Sequence, residues 1–309
     1  MASHPVPPHP DDEQRLARAV LTTITAPGDP DVHRLITDHG AIDTYLRLGS
    51  RGRHRLTTTS WHDSGRAHRV RTLLHTPGIR LLIPGDPDWP TTLDRLATPE
   101  AATLLGPTHA PPVALWVRGT ASLSALLSRA LTVTGARAAT SYGTHLATTI
   151  TAGCAERGYT VVAGTGFGID AAAHRGAQST GRPSIAVLAG GPDRPHPAAH
   201  TDLCDRIAEN GLLLSEQPPG ANATRTSYSA THRLLGALSA GTVLVEAGPR
   251  SGGIRTVHAA IGTGSAAMAV PGPVTSALSA GCHLLLRDAR VHLVTDIADV
   301  LTVLHGRQP

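Results

Sequence analysis

Along most of the chain, short apolar runs alternate with stretches whose apolar positions recur every three or four residues. The runs IRLLI (79–83), ALWVRG (114–119), ALTVTG (130–135), YTVVAG (159–164), SIAVLAGG (184–191), GLLLSE (211–216), TVLVEAG (242–248), AAMAVPG (266–272) and ARVHLV (289–294) read as strands. Between most of them lie helix-length segments: YGTHLATTITAGCAERG, TDLCDRIAENG, YSATHRLLGALSAG, SGGIRTVHAAIGTG and AGCHLLLRDA. DIADVLTVLHG ends the series. Continuously apolar strands separated by helices predict βαβ units, hence an α/β fold with a parallel sheet covered on both faces. The N-terminal part differs. DEQRLARAVLTTIT places Leu16, Ala19, Val20 and Thr23 near one helical face; APGDPD (26–31) breaks it; VHRLITDHG stops at Gly40; AIDTYLRLGS follows as a third helix. The expected organisation is a Pro-rich tail over 1–11, a small helical domain over 12–75 and a Rossmann-like domain over 76–309.

Composition changes this picture little. Lysine is absent, so the 27 basic residues are all arginine, set against 23 acidic ones for a net charge of +4. That balance is compatible with a nucleic-acid partner without requiring one. Arginine suits such a partner, because its fork pairs with phosphate and its plane stacks on bases. RGRHRL brings Arg51, Arg53 and Arg55 together, either to touch phosphate or as a solvated surface. The cysteines Cys154, Cys204 and Cys282 are widely spaced, without metal-ligand spacing, which points to a reduced, cytoplasmic protein. No run approaches membrane-spanning length and no signal peptide is evident, so no membrane partner is expected.

The candidate chemistry sits where strands hand over to helices, because ligands of open α/β sheets bind at the carboxyl ends of strands. Those loops read TGARAATSYG, AGTGFGID, AGGPD, SEQPPG, EAGPRSGG and VPGPVTS. Glycines 164 and 166, and Ser251 with Gly252 and Gly253, stand at helix entrances, where backbone N–H groups attract an anion; tight turns alone would also use them. The dinucleotide fingerprint is not met, since Ile169 stands where its last glycine would be. Arg137, just past Gly135 and Ala136, either binds an anion or pairs with Glu216 or Glu246. Asp170 and His174 share a helix face and form either an acid–base couple or a cap and a packed histidine. HPAAH (196–200) carries two histidines but no third ligand, so no metal site or cofactor is expected.

Taken in order, these segments resemble the DNA-processing protein A family (DprA, also called Smf) over roughly residues 79–295. The family's Val-Gly-Ser/Thr-Arg followed by Tyr-Gly is similar to TGARAATSYG. Its Ser-Gly-x-Ala-x-Gly-Ile-Asp-x-x-Ala-His is similar to AGTGFGIDAAAH, its Ser-Glu-x-Pro-Pro-Gly to SEQPPG, its Val-Glu-Ala and Ser-Gly segment to VEAGPRSGGIRT, and its Val-Pro-Gly to VPG. PGPVTSALSAGCHLLLR is especially similar to actinobacterial members.

The resemblance implies an extended Rossmann-like domain behind a helical one. It also implies single-stranded DNA bound in a basic pocket, delivery of that DNA to a RecA-type recombinase, a homodimer and no enzymatic step. The pocket residues it implies are Gly135, Ala136, Arg137, Gly164, Gly166, Tyr228, His232, Arg233, Ser251, Gly252 and Gly253. The family's Phe-x-x-Arg-Asn-Arg segment stands here as YSATHR: Tyr228 keeps an aromatic and Arg233 the last arginine, while Thr231 and His232 replace the Arg and Asn. An alternative from another class is a nucleotide-binding or nucleotide-hydrolysing Rossmann-like protein. It would require Glu216 or Glu246 to face the pocket unpaired.

Overall fold

The computed structural model describes residues 10–49 and 64–306. Most of the expected tail, and the RGRHRL segment with Arg51, Arg53 and Arg55, lie outside the described residues. Three helices come first: α1 (Pro10–Leu21), α2 (Pro30–Gly49) and α3 (Gly65–Leu74). α2 is broken at Gly40, whose φ of 80° interrupts the helical path where the sequence places a stop.

Nine strands form one sheet: β1 (Ile79–Leu82), β2 (Leu115–Arg118), β3 (Ala130–Gly135), β4 (Thr160–Gly164), β5 (Ser184–Leu188), β6 (Leu212–Ser215), β7 (Gly241–Val245), β8 (Ala266–Ala269) and β9 (Val291–Leu293). Their spatial order is β1-β2-β6-β5-β4-β3-β7-β8-β9. From β6 to β9 every pairing is parallel. The sheet is nonetheless mixed, because β1 and β2 add at one edge in antiparallel sense. β1 is the first strand, and only short helical segments join it to β2, so no βαβ crossover forces either to be parallel.

The remaining helices are α4 (Pro99–Leu105), α5 (Leu123–Leu127), α6 (Ser141–Glu156), α7 (Ile169–Ser179), α8 (Thr201–Asn210), α9 (Arg225–Ala237), α10 (Gly252–Gly262), α11 (Ala280–Leu285) and α12 (Ile297–His305). Each central strand divides its side chains between two cores. Val161 and Ala163 pack with α6, α7 and α12, while Val162 packs with Leu234, Leu235 and Ala259 of α9 and α10 on the other face. Strands buried on both sides are the reason these runs are continuously apolar. α1–α3 share a further core with Ile79, Leu81, Ala114 and Trp116 of the antiparallel edge.

The path from β3 through β4 and β5 to β6 runs toward one edge. The path from β7 through β8 to β9 runs toward the other. β3 and β7 therefore flank the place where strand order reverses, and the loops leaving them part to leave a crevice.

Candidate functional site

A cavity of about 290 Å³ opens at that crevice. Its wall is built from the ends of β3 and β4, one face of α9 and the start of α10. Gly135, Arg137, Gly164, Gly166, Tyr228, His232, Ser251, Gly252 and Gly253 all line it, so nine of the eleven residues implied by the sequence come together.

Arg137 is exposed, and its guanidinium carbon lies 4.8 Å from the centre of the Tyr228 ring, a cation–π arrangement. Neither strand-end glutamate reaches it. Glu216 accepts two hydrogen bonds from Arg233, at 2.6 and 2.5 Å. Glu246 accepts from the Thr140 backbone N–H at 2.8 Å and from the Thr140 hydroxyl, holding the start of α6. Arg137 is therefore the cation of the cavity wall, and the start of α10 beside it contributes the positive end of a helix dipole.

Ala136 and Arg233 stand apart from the cavity. Ala136 is buried; its N–H donates to the Glu246 carbonyl at 2.7 Å and its carbonyl accepts from Ile169 at 3.1 Å. Those bonds fix the backbone from which Arg137 projects. Arg233 corrects the pocket assignment made from the YSATHR segment. Its side chain is 1% exposed and bound to Glu216, to the Ala110 carbonyl at 2.8 Å and to the Ala230 carbonyl at 2.9 Å. Five positions after Tyr228 is about 140° round a helix, so Arg233 faces away from the crevice. The same geometry puts Thr231 of that segment on the cavity and reveals Leu235, which motif comparison missed: three and seven positions after Tyr228, they share its face and line the cavity.

The glycines of the AGTGFGID loop first make room for Asp170. A Cβ on Gly164 would stand 2.5 Å from the Asp170 Oδ2. That oxygen accepts from the Gly166 N–H at 3.2 Å, and Oδ1 accepts from the Thr134 hydroxyl at 3.1 Å. The loop thus spends the Gly166 N–H on its own aspartate, which leaves Arg137 and α10 as the groups facing an incoming anion. Burial raises the Asp170 carboxyl to about 6, against the opposing pull of these hydrogen bonds and of Arg137. His174 lies beneath, fully buried. Its Nδ1 bonds Ser184 Oγ at 3.0 Å and its Nε2 donates to the Gly164 carbonyl at 3.0 Å, and burial lowers it to about 4. Asp170 and His174 point to separate partners: Asp170 accepts a loop N–H at the helix start and His174 is packed and hydrogen-bonded, rather than the two forming an acid–base couple. His232 is also lowered to about 4, by burial and by Arg255 and Arg137, so it is a neutral wall whose Nδ1 bonds Thr256 Oγ1 at 3.0 Å.

A doubly wound sheet with an arginine-bearing cavity at its switch point defines a Rossmann-like protein. The particular family follows from comparison: the chain belongs to the DNA recombination-mediator protein A family, whose pattern matches residues 80–305. It is 45% identical over 229 residues to a DNA processing protein DprA of Mycobacterium tuberculosis, covering 74% of this chain and 58% of that one. It is 36% identical over 191 residues to the protein Smf of Escherichia coli, covering 62% and 50%. The chain thus spans little more than half the length of these relatives. Among solved structures, DprA of Streptococcus pneumoniae superposes with a TM-score of 0.73 at 25% identity, covering 94% of this chain and 96% of that one. DprA of Helicobacter pylori shares the fold, with a TM-score of 0.62 at 22% identity, covering 75% and 97%. No helix among the described residues is long and apolar enough to cross a membrane.

Proposed function

We propose that this protein binds single-stranded DNA at the β3–β7 crevice and delivers it to a RecA-type recombinase, acting as a cytoplasmic homodimer without a catalytic step. The observation that carries the reading is Arg137: a cation at the mouth of the cavity, laid over an aromatic ring and left unclaimed by either strand-end glutamate. A cation beside a stacking surface is what a single strand requires, since its backbone carries the charge and its bases offer flat faces. Family membership supports the same reading, as does the Helicobacter pylori relative, whose structure concerns a single-stranded DNA binding mode. Hydrolysis of a nucleotide is disfavoured, because Glu216 and Glu246 are both committed to structural partners.

The test is a fluorescence-anisotropy titration of labelled oligo-dT and its duplex at low and moderate salt, with wild type and Arg137→Ala. Single-strand binding that weakens with salt, exceeds duplex binding and drops at least tenfold in Arg137→Ala is expected. No single-strand binding at low salt overturns the proposal and directs attention to mononucleotides. Addition of a RecA-type recombinase to the loaded strand then tests delivery, read as faster filament formation.

A further inference from the structure

Phe167, the chain's one phenylalanine, is 48% exposed next to Gly166 of the cavity wall. It touches the protein edge-on, with its ring centroid 4.6 Å from that of His200 at an interplanar angle of 62°. His200 is buried and held by its Nδ1 contact to the Thr165 carbonyl at 2.9 Å. The backbone beneath the ring is equally fixed. Gly168, at φ 72°, packs against the carbonyls of Ala136 and Arg137, and Ile169 donates to Ala136. Phe167 is therefore a half-exposed aromatic, seated on His200, whose loop is pinned to the backbone of Arg137.

The same side of the cavity carries a second aromatic pair. Tyr228 meets exposed His196 edge-on at 5.8 Å. Thr165 joins the two pairs, since its hydroxyl donates to the His196 carbonyl at 2.7 Å while its own carbonyl holds His200. The Arg137 side chain passes close to Gly166, about where a Cβ would stand 3.7 Å from its Cγ, and ends over Tyr228. Along this rim of the cavity Arg137 runs from Gly166, the neighbour of Phe167 in the chain, to the Tyr228 ring: aromatic, cation, aromatic.

Resting on the proposed function, we infer that Phe167 is a stacking platform for an unpaired nucleobase of the strand whose phosphate Arg137 binds. The argument is one of chemical complementarity. Successive units of a single strand present base, phosphate, base, and the rim presents the matching order of surfaces. In a duplex the base faces are already stacked, so the rim offers them nothing. The platform selects unpaired strand of any sequence, because every base has a π-face.

The experiment uses the full chain and 2-aminopurine placed singly along an oligo-dT strand, with anisotropy for affinity. In wild type, fluorescence is expected to change at a position that Phe167→Leu returns to the free-strand value. Phe167→Leu should weaken binding about tenfold and Phe167→Trp should retain it. An abasic site at the responding position should erase the difference between wild type and Phe167→Leu. Equal affinity and an unchanged fluorescence profile in Phe167→Leu, with wild type still binding tightly, overturn the platform alone. If wild type binds no single strand, the proposed function fails and the platform falls with it.

Discussion

At the scale of single residues, Arg137 is the cavity-wall cation that neither strand-end glutamate pairs. Arg233 and Glu216 form a closed unit, and removing one member strands a charge in a dry place. Glu216→Leu should cost about 3 to 5 kcal/mol in urea unfolding, and combining it with Arg233→Met should recover much of the loss. His174 gives a pH signature. Its value falls from the usual 6.5 to about 4 in the fold, so its contribution is complete above 6.5 and drains away as pH falls toward 4. Unfolding midpoints at pH 7 and 4.5 should show a loss on the order of 3 kcal/mol that shrinks in His174→Asn. Asp170 has the opposite sign. With its carboxyl raised to about 6, it is ionised at pH 7.5 and repels a phosphate, so strand affinity should rise as pH falls through 6. Asp170→Asn should flatten that rise in a titration at pH 5.5 and 7.5. Sequence made Arg137 and Tyr228 legible because each stands in a local motif. It allowed Arg233 as a partner for Glu216 or Glu246 without singling out the Arg233–Glu216 pair, because which way a helical side chain faces depends on what packs behind it.

At the scale of elements, α9 shows how one helix serves two purposes. Tyr228, Thr231, His232 and Leu235 turn toward the crevice, and Arg233 turns toward the start of the chain, where the α1–α2 connection covers it at Gly28. The loop between β4 and α7 does comparable double duty, seating Asp170 and pinning the Arg137 backbone through Gly168. That glycine adopts a φ of 72° against two carbonyls, so Gly168→Ala should destabilise the protein by about 3 kcal/mol in urea unfolding. The same variant should weaken strand binding, because it displaces the loop beneath Arg137. The segment GDPDWP, which as sequence shows only turn residues and a family likeness, proves to be a junction. Asp86 accepts both arms of Arg15 from α1, at 2.9 and 2.6 Å, as well as the Ile83 N–H at 2.9 Å. Asp88 accepts the Ser122 hydroxyl and the N–H groups of Leu123 and Ser124, which hold its carboxyl well below the usual range against the opposing effect of burial. Periodicity has no purchase on such segments, because their order comes from side-chain hydrogen bonds rather than a repeating face.

At the scale of the whole molecule, alternation of strand and helix revealed the architecture, since burial on both faces leaves an unmistakable apolar run. The antiparallel edge was not legible, because strand direction leaves no trace in four residues. The charge distribution sets a quantitative expectation. With a net charge of only +4 and one arginine in the cavity wall, strand binding should depend shallowly on salt. The log–log slope should become less steep by about 0.7 in Arg137→Ala, the share of one phosphate contact. The reversal of strand order carries a last consequence, and it concerns biosynthesis. Thr140 and Glu246, bonded at the crevice, lie 106 positions apart in sequence, and α10 follows later still. Neighbouring strands of the crevice are distant in the chain, so its closure is a late, non-local step of folding. A nascent polypeptide cannot offer Arg137 together with the head of α10 until the ribosome has released almost the entire sheet. Unfinished chains therefore have no complete cavity.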